Sequence, residues 1–305
     1  MKIAITGSAG LIGSYLCSYF QNKDIPLLRI RRGGACAGAR PGDVIWSPAE
    51  GRLDAGALDG AGAVIHLAGA NLAARRWDDA YKREILESRV RSTRLLVETF
   101  RKMPAPPKVF LSASALGFYG GHRIEEFCDE SSPAGTGFLA DVCRAWEEEA
   151  FAARRLGIRT VALRFGAVLS RNGGMLAKLL PVFRTGLGGC LGSGKQPLSW
   201  ISLLEVPRVI EHILEHDELD GPVNCSSPYP VSSAELSAQL GLALRRPAFL
   251  PVPAFALKAV LGPMAQEVIL QGVSALPARL LRSGYRFSYP DLSSALSAAL
   301  GPKTK

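Results

Sequence analysis

The sequence has no CxxC pair, no basic-then-apolar leader, no apolar run of bilayer length and no internal repeat. Each absence excludes a class of protein. The six cysteines, Cys17, Cys36, Cys128, Cys143, Cys190 and Cys225, are scattered singly, which argues against a disulfide framework or a zinc cluster and fits a reducing compartment. A membrane span needs about 20 consecutive apolar residues, and none exists here. With a strand pattern already under way at Ile3, the expectation is a cytoplasmic protein without a membrane partner. The net charge of +9 is dispersed in short clusters such as Arg75-Arg76 and Arg154-Arg155. No basic-aromatic motif accompanies it, so no nucleic-acid partner is expected, although the excess suits an anionic small molecule.

What is present is a regular alternation. Apolar, β-branched runs ("KIAIT", "PLLRI", "DVIW", "AVIHLAG", "KVFLSAS", "RTVALRFG") alternate with amphipathic segments through the first two thirds of the chain. Parallel strands need crossovers, and crossovers are usually helices, so the pattern predicts an α/β fold with a doubly wound parallel sheet. After Gly166 the texture turns Gly- and Pro-rich, which reads as a smaller, mainly helical C-terminal domain over 166–305. The first domain covers 1–165, and 199–227 is expected to return to it because "GPVNCSS" reads as another buried strand.

The motif with the clearest chemistry is Thr6-Gly7-Ser8-Ala9-Gly10-Leu11-Ile12-Gly13, directly after the first strand and at the start of a helix. Glycines there permit a tight turn and close backbone approach. A pyrophosphate can then rest on the helix N-terminus, where unpaired N–H groups and the helix dipole favour negative charge. The second strand ends in "RIRRGG". An acidic residue at that place would accept from the 2′-hydroxyl of NAD, whereas Arg31 and Arg32 suit a 2′-phosphate, which favours NADP(H). The alternative is a pair of solvated loop arginines.

These residues resemble the short-chain dehydrogenase/reductase superfamily in its extended, Rossmann-fold form related to nucleotide-sugar epimerases. The GxxGxxG spacing, "HLAG" at 66–69 and "SASALGFYG" at 112–120 carry the resemblance. "RRWDDAYKREILESRVRSTRLL", "FLADVCRAWEEEA", "GGMLAKLLPVFRTGLGGCLGSGKQPLSWI" and "LPARLLRSGYRF" narrow it to an atypical epimerase-family branch, some of whose members carry a cell-division-inhibitor label. The resemblance implies that Leu67, Ala68 and Gly69 line the cofactor and that Ser114 takes the place of the substrate-orienting serine. It also implies a Tyr-xxx-Lys pair on the helix after the fifth strand. Residues 132–153 contain neither tyrosine nor lysine, and aligning by Glu147 puts Leu139 and Cys143 at those two places. Tyr119, in the turn after the Ser114 strand, is the remaining candidate proton donor, or else it shapes the pocket.

Arg89 stands where extended members usually carry asparagine, and it is a candidate for cofactor or anionic-substrate contact, with an ion pair as the alternative. Lys195 and Gln196, in "GCLGSGKQPLSWI", resemble the loop that approaches a substrate diphosphate in epimerases. "HILEH" at 212–216 matches a zinc-protease pattern literally, yet His212 and His216 lie off the apolar stripe of their helix and no third ligand is apparent, so no metal is expected. The functional expectation is an oxidoreductase or sugar epimerase acting on a small molecule with NADP(H). The alternative is a non-catalytic, NADPH-binding regulatory or redox-sensing protein, and either is compatible with a homodimer.

Overall fold

The computed structural model of the protein describes residues 1–33, 42–121 and 126–301; Cys36 lies outside them. Seven strands form one parallel sheet: β1 (Lys2–Thr6), β2 (Leu27–Arg32), β3 (Val44–Trp46), β4 (Ala61–His66), β5 (Val109–Ala115), β6 (Arg159–Phe165) and β7 (Gly221–Cys225). Their order across the sheet is β7-β6-β5-β4-β1-β2-β3. The fold is α/β and doubly wound, as the alternation predicts. Strands in such a sheet are covered on both faces, which is why Ile3, Ala4 and Ile5 are all buried although successive side chains point to opposite sides.

The helices are α1 (Leu11–Gln21), α2 (Asp79–Lys102), α3 (Phe138–Phe151), α4 (Gly174–Arg184), α5 (Val206–Glu215), α6 (Ser233–Leu244), α7 (Ala254–Leu261), α8 (Ala278–Arg282) and α9 (Leu292–Leu300). One face of the sheet packs on α1 and α5, through Leu16, Phe20, Val206, Val209, Ile210 and Ile213. The other packs on α2 and the end of α3, through Leu95, Leu96, Phe100 and Ala150. A separate cluster of Leu176, Leu180, Phe183, Trp200, Leu236, Leu240 and Leu296 joins α4, α6 and α9 into the smaller C-terminal part. The segment 199–227 is divided between the two cores. Trp200–Ser202 pairs with Ala167–Leu169, whereas α5 covers α1 and β7 extends the large sheet.

The sheet order reverses direction between β1 and β4. Strands on either side of that point send their connections to opposite faces, which leaves a crevice beyond their carboxyl ends. The loops after β1 and β4 flank it.

Candidate functional site

The loop after β1 is shaped by contacts that admit no side chain. Gly7 adopts φ +65°, and a Cβ there would lie 2.8 Å from the Leu67 carbonyl, so the loops after β1 and β4 touch backbone to backbone. A Cβ on Gly13 would lie 2.2 Å from the Gly7 carbonyl oxygen. Gly10 begins α1 with no side chain capping the helix N-terminus. Gly13→Ala is therefore expected to displace the loop and weaken dinucleotide binding by at least about tenfold, the effect of roughly 1.4 kcal/mol. Fluorescence titration of the folded variant checks it, and unchanged affinity would refute the cradle.

Beneath the loop lies a buried staple that the sequence motif did not disclose. Thr6 Oγ1 accepts from the backbone N–H groups of Leu67 and Ala68 at 3.1 and 3.3 Å and lies 2.7 Å from His66 Nδ1. With both acceptor positions filled, the Thr6 hydroxyl proton points to Nδ1, so the imidazole carries its proton on Nε2. That nitrogen is 3.1 Å from Ser92 Oγ, whose own proton goes to the Ser88 carbonyl at 2.6 Å. His66 has no exposed surface, and burial, with a smaller effect from the charge of Arg89, depresses its pKa to about 3. A neutral histidine thus fixes the ends of β1 and β4 to α2.

The crevice opens into a cavity of about 740 Å³. Gly7, Ser8, Ala9 and Gly10 line it together with Leu67, Ala68 and Gly69 and with Arg31 and Arg32. Arg31 also pairs with the buried Asp43 carboxylate at 3.3 Å, which accepts from Arg29 at 2.8 Å and so positions both guanidinium groups. Trp46 at the end of β3, Ser47, Pro48 and Ala49 after it, and Arg83, Glu84, Glu87, Ser88 and Arg91 on α2 also line it. Sequence reasoning missed these. The β3 residues follow from topology, because a strand parallel to β2 brings its own carboxyl end to the same edge. Leu11 and Ile12 lie behind the loop: Leu11 packs near Gly173, and Ile12 on the core under α1.

A buried polar network joins β5, α3, β6 and β7 one turn along α3 from Cys143. Ser114 Oγ donates to Glu147 Oε1 at 2.6 Å, and Arg164 on β6 donates to both Glu147 oxygens at 2.8 Å. Arg164 also donates to the Tyr119 hydroxyl at 2.9 Å, and Tyr119 donates onward to Asn224 Oδ1 at 2.8 Å. All five residues are buried. Burial would lower the Arg164 pKa, but the bonds and charge of Glu147 raise it overall. Burial pushes the Tyr119 phenol up to about 12, against the pull of Arg164. Tyr119, the candidate donor, is buried and directs its hydroxyl proton at Asn224. Ser114, at the right strand position, aims its hydroxyl at Glu147. Burial also raises the Cys143 thiol to about 11, with its sulfur 3.6 Å from the Ala115 carbonyl oxygen.

The other candidates stand apart from the cavity. Arg89 donates to the Ile85 and Ala70 carbonyls at 3.0 and 3.1 Å and lies over the Trp146 ring, bracing the loop after β4 from below. Gln196 donates to the Leu191 and Ile269 carbonyls at 2.7 and 3.1 Å, a structural tie, and Lys195 is exposed. Neither borders the crevice. His212 and His216 stack at 3.7 Å, and among the described residues no group of three or more His, Cys, Asp or Glu could hold a metal ion.

Comparison with known proteins gives the chain a family and a fold. Residues 3–226 match the NAD dependent epimerase/dehydratase family, and residues 252–299 match a domain of unknown function, DUF1731. An epimerase family protein of Mycobacterium leprae is 38% identical over 297 residues, covering 97% of this chain and 95% of that one. The human epimerase family protein SDR39U1 is 33% identical over 302 residues, covering 97% and 98%. The crystal structure of human SDR39U1 (isoform 2) with NADPH superposes with a TM-score of 0.88 at 31% identity, over 99% of this chain and 100% of that one. A nucleoside-diphosphate sugar epimerase from Corynebacterium glutamicum superposes with a TM-score of 0.80 at 32% identity, over 99% of this chain and 58% of that one.

Proposed function

Because the chain belongs to the NAD dependent epimerase/dehydratase family, we propose that it binds NADP(H) across the crevice between β1 and β4 and serves hydride transfer to a small carbonyl or alcohol substrate. The observation that carries this reading is that Arg31 and Arg32 line the same cavity as the Gly7–Gly10 loop. The loop would hold the pyrophosphate on backbone N–H groups at the start of α1, and the two arginines would pair with the 2′-phosphate. The human relative solved with NADPH supports the choice of cofactor. The nicotinamide, when bound, supplies the hydride or accepts it.

The chain's own residues limit what accompanies that transfer. Arg89, Trp146 and His66 stiffen the floor, and Ser114 and Tyr119 are held by Glu147, Arg164 and Asn224. General acid catalysis needs a group whose proton is free to move to the reacting atom. Leu139 and Cys143 provide none. This favours slow turnover, and it equally favours a second reading in which the protein reports NADPH occupancy to a partner without turning it over.

Titration with NADPH and NADH tests the proposal. NADPH is expected to bind about 10–100-fold more tightly, the value of a charge-assisted bond of roughly 1.5–3 kcal/mol. Arg31→Ala or Arg32→Ala should reduce that preference, and equal affinities in the unaltered protein would refute the 2′-phosphate site. NADPH oxidation across aldehydes, ketones and nucleotide sugars separates the two readings: turnover supports the enzyme, and tight binding without turnover supports the sensor.

A further inference from the structure

α7 is an apolar helix, "AFALKAVL", with no fully buried residue: only Ala256, Leu257 and Leu261 are half-buried, Leu261 against the cluster of Trp77, Tyr81 and Met264. An eight-residue helix is marginal in water unless a packed face supports it. The segment leading into it runs beside the loop after α4: Leu250 N–H donates to the Gly188 carbonyl at 3.0 Å, and Val252 N–H to the Cys190 carbonyl at 2.9 Å. This sets Leu250 beside the Leu187–Gly188 turn just ahead of α7, and Leu187, Phe249, Leu250, Phe255 and Val260 are all exposed, Phe249 and Phe255 by 72% and 76%. Large apolar side chains clustered this way mark an interaction surface.

Charge identifies what the surface meets. The loop after α4 and α7 itself lie within residues 171–204 and 236–266, which contain no aspartate or glutamate, with Glu235 standing at the start of α6 next to the Gly194 loop. The two segments carry seven cations, Arg171, Lys178, Arg184, Lys195, Arg245, Arg246 and Lys258. Glu267, the next carboxylate along, is turned inward, accepting from the backbone N–H groups of Phe138 and Leu139 at 3.3 Å. Lys258 falls one turn after Phe255, within the apolar stretch. A twofold contact with a second copy would bury Lys258 and set Arg184, Arg245 and Arg246 against their own counterparts. A surface both apolar and anionic has neither cost.

We propose that this surface docks on an anionic lipid bilayer, with Phe249, Leu250, Phe255 and Val260 entering the interface and Arg245, Arg246 and Lys258 meeting the headgroups. Aromatic and aliphatic side chains beside lysine and arginine are the composition of interfacial helices. No helix among the described residues is long and apolar enough to cross a membrane, and lying on a bilayer requires none.

The test is flotation of the full chain with vesicles of phosphatidylcholine alone and of equal parts phosphatidylcholine and phosphatidylglycerol. Binding is expected to the anionic vesicles, with release at about 1 M salt, where charges are screened beyond about 3 Å. Each cation near such a surface contributes about 1 kcal/mol, so the combined variant Arg245→Gln, Arg246→Gln and Lys258→Gln should partition at least about a hundredfold more weakly. Phe249→Ser with Phe255→Ser should abolish flotation while keeping the melting temperature, since both side chains are exposed. No binding to either vesicle, equal binding to both, or a dimer in sedimentation that Phe255→Ser dissociates would each overturn the proposal.

Discussion

Replacing either Glu147 or Arg164 by alanine is expected to destabilise the protein by about 3–5 kcal/mol, because each leaves its partner's charge buried without compensation. At this size that corresponds to a fall of roughly 10 °C in melting temperature. The geometry explains why the effect should lie at the high end. The pair is bidentate, the side chains are 6% and 4% exposed, and Ser114 and Tyr119 depend on it for their own hydrogen bonds. Exchanging both partners together, Glu147→Leu with Arg164→Met, removes the charges as well as the bonds, and should cost less than either single alanine. Thermal and urea denaturation of the singles and the double measure this directly. Single variants within about 1 kcal/mol of the unaltered protein would show that water already compensates the charges.

The same pair marks the boundary between what the sequence discloses and what it does not. The strands, the glycine turn and the arginines closing β2 are local patterns, legible because strand period, turn chemistry and helix start all operate over a few residues. The network joins β5, α3, β6 and β7 through side chains far apart in sequence, and only the fold brings them together. Two signals did point to it. Arg164 interrupts an otherwise apolar strand, "VALRF", and a charge inside a strand covered on both faces implies a buried partner. Leu139, Cys143 and Glu147 recur every four residues, so of the three consecutive glutamates in α3 only Glu147 continues the inward face. Read for its register against a missing lysine, Glu147 looked like an alignment marker. It is the acceptor that holds Ser114.

Acidification should expose the second buried element, the His66 staple. In the unfolded chain histidine titrates near 6.5. In the folded protein burial holds His66 neutral down to about 3. Its contribution to stability is therefore complete above about pH 6.5 and is lost as the pH falls, because the unfolded chain takes up a proton that the native state refuses. The loss is about 1.4 kcal/mol per pH unit, reaching roughly 2 kcal/mol by about pH 5 and roughly 5 kcal/mol by about pH 3. Since Thr6 and Ser92 both bond the neutral ring, protonation in the native state would also place a second donor against the Thr6 hydroxyl and release the loops after β1 and β4. His66→Gln removes the titration and keeps polar contacts, so its stability between pH 6.5 and 3 should fall less steeply than that of the unaltered protein. Urea midpoints at stepped pH supply the comparison, and parallel profiles for the two proteins would mean that the imidazole is protonated in the fold.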